Sequence, residues 1–283
     1  MIIRTLLENN TSRPELGSEH GLSLVIESGN QTILFDTGAS DLFSKNAKTM
    51  GVDLAKVDFA VISHGHYDHG GGLSTFLQHN DHAPVYIHDK ALGDYFTPKE
   101  TGWEYIGIAP ELKQEKRFIR IQGDLMINDQ VEILTQIQPI WLNPPDNRVM
   151  YQKSTDQYEL DDFDHEQDLI IRENGKTLLV MGCAHKGIVN ILDAFRAKQG
   201  KFPDAVIGGF HLINETWDGA MIKTVDEIGR FLKGTPTMYY TGHCTGKDGY
   251  LQLKAMLGDQ IEAIASGVEL RLFESDHSIN ENF

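Results

Sequence analysis

Four side chains with metal-binding chemistry fall within six residues, in His64-Gly65-His66-Tyr67-Asp68-His69. Imidazole and carboxylate are the donors that zinc, manganese and iron accept. A nearly continuous apolar run of strand length, Val57 to Ser63, comes just before them, and Gly70-Gly71-Gly72 comes just after. Histidines at i and i+2 leave a strand end pointing the same way, and Asp68 and His69 follow as the chain turns into a helix. The three glycines are expected to let the backbone turn tightly and to keep side chains away from the site.

Two more histidines stand in the same kind of place. His185 follows Met181-Gly182-Cys183 and precedes Gly187 and a helical stretch. His243 follows Tyr240-Thr241-Gly242 and precedes Cys244-Thr245-Gly246. Catalytic groups collect at the carboxyl ends of strands in α/β folds. Either histidine alone reads as structural; together with the cluster, both read as ligands. Cys183 and Cys244 adjoin these positions and read as small buried residues. His79, His82, His88, His165 and His277 lie in polar contexts and are expected at the surface.

The elements that must position these groups repeat. Leu22–Glu27 and Thr32–Asp36 form a hairpin about Ser28-Gly29-Asn30, followed by a helix in Asp41–Gly51 and the strand Val57–Ser63. Leu169–Arg172 and Thr177–Gly182 form another, followed by a helix in Gly187–Lys198 and the strand Pro203–Gly209. The offset is about 145 residues when Thr32 is matched to Thr177 and Asp58 to Asp204. Two related halves, each a sheet with helices on one side, would bury their apolar faces as a four-layer α/β sandwich, αββα. The whole chain, 1–283, is expected to form a single domain. The region from about 95 to 164 breaks the pattern and reads as an inserted loop near the site, carrying Trp103, Trp141, Tyr151, Tyr158 and the acidic run Asp161-Asp162-Phe163-Asp164.

There are 25 basic and 41 acidic residues, a net charge of −16, and no unbroken basic run. That balance argues against nucleic acid and anionic membranes as partners. No stretch approaches the ~18 consecutive apolar residues of a membrane span. The N-terminus has no signal-peptide pattern, and two cysteines suit a reducing compartment, so the expected location is the cytoplasm.

The His64–His69 cluster is the HxHxDH signature of the metallo-β-lactamase superfamily, and Asp36-Thr37-Gly38 resembles its upstream DTG element. The segments Glu19–Ser23, Gly182–His185, Gly209–Leu212 and Gly242–Gly246 resemble a subgroup of small cytoplasmic hydrolase-like proteins that includes dihydropterin-ribofuranosylaminobenzene phosphate synthases. The resemblance implies a first metal on His64, His66 and His185, and a second on Asp68, His69 and His243. It implies that Asp36 orients a ligating histidine, and that His20 lies behind the site or meets substrate. It also exposes a departure: dinuclear hydrolases of the superfamily carry a bridging Asp where this chain has Phe210-His211, with the next acid at Glu215. His211 is then open to ligation, acid chemistry, substrate bonding or a structural role. The expected function is hydrolysis of a small ester, lactone, thioester or phosphoester by water activated on zinc, one or two ions, with manganese or iron possible and Asp68 and His211 as catalytic groups. The alternatives are a dihydropterin-type synthase, with the metal as Lewis acid, and a non-catalytic metal- or ligand-binding protein. A small molecule is the expected partner.

Overall fold

In the computed structural model, which describes residues 1–214 and 216–274, the apolar strands bury both of their faces. Ser23–Ser28 pairs with Gln31–Phe35, and Asp168–Glu173 with Lys176–Val180, as the two expected hairpins. Gly29 turns the first with positive φ, while Asn174 and Gly175 turn the second with both φ positive, the backbone that two-residue hairpins require. Alternate side chains then enter different cores. Leu24, Ile26, Ile33 and Phe35 meet Leu169, Ile171, Leu178 and Val180 between two sheets. Val25 and Leu34 face away and pack on Phe43 and Phe76, from the helices Leu42–Thr49 and Leu73–His79. Ile170 and Leu179 pack on Ile191, Val225 and Leu253, from the helices Ile188–Gln199, Gly219–Lys233 and Lys247–Leu257. Helices, sheet, sheet and helices therefore stack as the αββα sandwich.

One seven-stranded sheet runs in the order Glu269–Arg271, Ile2–Leu7, Ser23–Ser28, Gln31–Phe35, Phe59–Ile62, Val85–His88, Phe118–Ile121. The other runs Ile261–Ala263, Met238–Thr241, Ala205–Gly208, Lys176–Val180, Asp168–Glu173, Val131–Leu134, Leu125–Met126. Pairing is parallel from Gln31–Phe35 to Phe118–Ile121 in the first, and from Lys176–Val180 to Ile261–Ala263 in the second. The carboxyl ends of these strands are thereby aligned. The repeat has a physical basis. Thr32 N donates to Asp58 Oδ2 at 2.7 Å, and Asp58 N returns a bond to Thr32 O at 2.9 Å. Thr177 N and Asp204 Oδ2 do the same at 2.9 Å, with the return bond at 3.0 Å. Each aspartate ties the hairpin to the next parallel strand.

The region 95–164 is not one loop. Phe118–Ile121, Leu125–Met126 and Val131–Leu134 complete the edges of the two large sheets. Tyr95–Lys99, Gly102–Tyr105, Tyr151–Ser154 and Gln157–Leu160 form a separate four-stranded antiparallel sheet, on which Trp103 stacks against Tyr158 with ring centroids 4.0 Å apart. These strands are two to five residues long, too short for a period to announce them.

His88 and His165, expected at the surface, are buried, whereas His79 and His82 are exposed. His277 lies outside the described residues. Burial, with help from His165 and Lys90, pushes His88 down to about 4. An unfolded histidine titrates near 6.5, so between those values the unfolded chain binds more protons. The stability tied to a neutral His88 is complete above about pH 6.5 and is lost as pH falls toward 4. Between pH 7 and 5, in chelator, the urea midpoint of the wild type should fall further than that of His88→Gln. Equal falls would refute this account.

Candidate metal centre

Five strand ends deliver the site. Phe59–Ile62 leads into His64, His66 and the helix Tyr67–Gly70, which carries Asp68 and His69. Gln31–Phe35 leads to Asp36, Lys176–Val180 to Cys183 and His185, Ala205–Gly208 to His211, and Met238–Thr241 to His243. Of the ten described non-glycine residues with positive φ, Asp36, Ala184, His211 and His243 lie here. Such backbone costs about 1–3 kcal/mol per residue, so these ends are shaped for the site rather than for packing alone.

All six expected ligands are buried, and the fold brings them together. His64 Nε2 lies 3.3 Å from His185 Nε2, and His69 Nε2 lies 3.1 Å from His243 Nε2. The Nδ1 of each ring is held from behind: His64 by Ser63 Oγ at 2.9 Å, His185 by Asn147 Oδ1 at 3.0 Å, His69 by Asp36 Oδ2 at 2.6 Å, and His243 by Asn9 Oδ1 at 2.9 Å. Amide and carboxylate oxygens only accept, so His185, His69 and His243 carry a proton on Nδ1, which leaves Nε2 as the atom turned inward. The Nε2 lone pairs of the neutral His64 and His185 repel one another at this distance unless a cation lies between them, and between His69 and His243 a shared proton or a metal ion can fill that place. Asp68 Oδ2 is 3.3 Å from His243 Nε2, 3.5 Å from His69 Nε2 and 3.2 Å from Nε2 of the half-exposed His20. A nitrogen of His66 joins His64 and Asp68 in the same cluster.

Charge follows geometry. Burial, then the neighbouring imidazoles, holds His64 and His185 well below the usual range, so both are neutral. Burial also pulls His69 down, but the carboxylates of Asp68 and Asp36 outweigh it and push it up to about 9. Against its own burial, Asp68 is held well below the carboxylate range by His69, His20 and His243. An ionised carboxylate among inward-facing imidazoles is a donor set that a divalent cation fits.

Asp36 does orient a histidine of the cluster. Besides His69 Nδ1, it accepts Ser63 N and Ser63 Oγ, each at 2.7 Å. The chain does turn at Gly71 and Gly72, but with ordinary φ of −65° and −81°, so it is close approach that requires glycine there. A Cβ on Gly71 would sit 2.3 Å from Ala39 O, and one on Gly72 2.3 Å from Thr37 O. Bare backbone there lets Thr37 N reach His69 O at 2.7 Å.

Several residues join the site without a sequence signal. Asn9 and Asn147 hold rings from 234 and 38 residues away. Glu166 accepts His185 N at 2.6 Å and Lys186 N at 2.8 Å, which anchors that loop. Asp161 lies 3.6 Å from His66 Nε2 and 3.0 Å from His165 Nε2, and His165 Nδ1 accepts Gly65 N at 2.9 Å. The acidic run was visible in the sequence; which of its members turns inward was not. His211 packs its ring 4.2 Å from that of His185, and its two buried nitrogens find no hydrogen-bond partner among the described residues. Glu215 lies outside the described residues. Two cavities flank the cluster. One of about 490 Å³ borders His243, with Leu212, Ile213 and Trp217; the other, of about 480 Å³, borders His185, with Asn147, Arg148 and Lys186. No helix among the described residues is long and apolar enough to cross a membrane.

Residues 16–187 match the metallo-beta-lactamase superfamily, and the chain belongs to it. It is 28% identical to MJ0448, an uncharacterized protein of Methanocaldococcus jannaschii, over 85% of this chain and 90% of that one. It is 27% identical to the 7,8-dihydropterin-6-methyl-4-(beta-D-ribofuranosyl)-aminobenzene-5'-phosphate synthase of the same organism, over 81% and 82%. Its fold is similar to the crystal structure of Tm1679, a metal-dependent hydrolase of the beta-lactamase superfamily, at TM-score 0.79 and 26% identity, over 97% of this chain and 100% of that one.

Proposed function

We propose that this chain is a metal-dependent hydrolase of a small ester, lactone, thioester or phosphoester. The carrying observation is the convergence of six buried donors, four of them imidazoles fixed at Nδ1 so that Nε2 faces inward. A divalent ion bound there supplies Lewis acidity and makes water a nucleophile near neutral pH. His64, His66 and His185 would hold one ion, and Asp68, His69 and His243 a second. Zinc is the proposed ion, and the same donors accept manganese or iron. Asp68, ionised and tied to His20, offers an oxygen to steer the water and take its proton. The unpaired nitrogens of His211 offer a donor to the oxygen on which charge develops. Both cavities fall in the size range of small-molecule sites, and the net charge of −16 disfavours nucleic acid and membrane surfaces. Two free cysteines suit the cytoplasm as its location.

The test is a panel of such esters assayed on metal-counted protein. Turnover should vanish on chelation and return with zinc. A panel with no chelator-sensitive turnover would refute the reading. A synthase acting on a dihydropterin precursor, with the ion as Lewis acid alone, is the second reading, supported by the 27% identical relative. Saturable pterin binding by a chain that turns over no ester would favour it.

A further inference from the structure

Cys183, expected to be packing only, stands inside the metal cluster. Its Sγ lies 3.1 Å from His69 Nε2 and 3.3 Å from His243 Nε2. With Asp68 it completes a buried group of four whose ligand atoms all lie within 4.8 Å of one another, and it falls within the same limit of the His64 and His185 donors. Zinc bonds of about 2.3 Å to sulfur and 2.0–2.2 Å to nitrogen and oxygen place tetrahedral neighbours roughly 3.3–3.6 Å apart. The separations here, 3.1 and 3.3 Å to sulfur and 3.1, 3.3 and 3.5 Å among the others, match five of the six edges of such a tetrahedron, somewhat contracted, and the sixth, Cys183 to Asp68, is within 4.8 Å.

We propose that the Cys183 thiolate is the fourth ligand of the second metal position. The proposal rests on the metal-binding reading above and deepens it. On binding, the S–H bond breaks, its proton leaves to solvent and a metal–sulfur bond forms, with no change of oxidation state. Cys244 serves as the contrast. Its Sγ accepts His211 N at 3.3 Å, faces Cys183 O at 3.5 Å and lies 2.3 Å from where a Cβ on Gly209 would be. Cys244 Sγ also lies within 4.8 Å of Cys183 Sγ and of a His211 ring nitrogen, but its 3.3 and 3.5 Å contacts are to backbone, whereas those of Cys183 Sγ at 3.1 and 3.3 Å are to the nitrogens of His69 and His243. A donor set of one carboxylate, two imidazoles and one thiolate favours zinc over magnesium or calcium.

The experiment is a cobalt(II) titration of the metal-stripped full chain, followed by its visible ligand-field bands and its near-ultraviolet thiolate-to-cobalt charge-transfer band. The charge-transfer band should grow with the second equivalent, disappear in Cys183→Ser and persist in Cys244→Ser. X-ray absorption of the zinc-loaded wild type should show sulfur at about 2.3 Å; this arm holds even if Cys183→Ser fails to fold. Ligand-field bands without a charge-transfer band, or a charge-transfer band that survives Cys183→Ser, would overturn the thiolate assignment and leave the metal reading standing. Failure of the wild type to take up cobalt or zinc would overturn both.

Discussion

Asp68→Ala should cost one equivalent of bound metal and lower turnover on any substrate of this site by about 10²–10⁴-fold, the usual contribution of a positioned acid–base group. A single oxygen, Oδ2, lies 3.2–3.5 Å from the Nε2 atoms of His20, His243 and His69. Its removal would leave the proposed second position with two imidazoles and the Cys183 sulfur, one ligand short of four, and the proposed first position on His64, His66 and His185 intact. Metal counting should therefore distinguish Asp68→Ala, which keeps one ion, from His64→Ala, which disturbs the other position. Asp68→Glu separates charge from reach: it restores the anion about one methylene too far out, so metal should return before turnover does. If Asp68→Ala retains full metal content and full turnover, Asp68 has neither role.

Reading the sequence reached the sandwich because its evidence is local. The apolar, β-branched runs in Leu22–Glu27 and Leu169–Arg172, the turn residues between paired runs and the Thr–Asp pairs each lie within short windows of chain. The candidate cluster His64 to His69 was legible for the same reason. What escaped depends on contacts that no window spans. Asn9 meets His243 across 234 residues, His165 reaches Gly65 across 100, and Cys183 stands between His69 and His243 only because two sheets face each other. The short strands of 95–164 escaped for a different reason: strands of two to five residues carry no usable period. The glycine run and its turn were recognised, but the close approach of Thr37 and Ala39 to its backbone is a tertiary fact that no window shows.

Asp36→Asn is the sharpest test of how the cluster is held, because it keeps the volume and changes only hydrogen-bond polarity. Asp36 receives three donors: Ser63 N on Oδ1, and Ser63 Oγ and His69 Nδ1 on Oδ2. An asparagine has one oxygen and must turn its NH₂ toward Ser63 N or toward His69. The first choice leaves a buried amide N–H unmet; the second inverts the His69 tautomer, so that a proton instead of a lone pair faces the metal. Substitutions behind metal ligands cost about 10–100-fold in metal affinity, and an unmet buried donor costs about 1–3 kcal/mol of stability. Metal affinity by chelator competition should therefore fall by that factor at the second position. Urea unfolding in chelator should show the stability loss independently of metal. A stability loss with unchanged metal affinity would mean that Asp36 only packs the strand end; no loss of either would mean that the hydrogen-bond polarity at Asp36 is not what holds His69 in place.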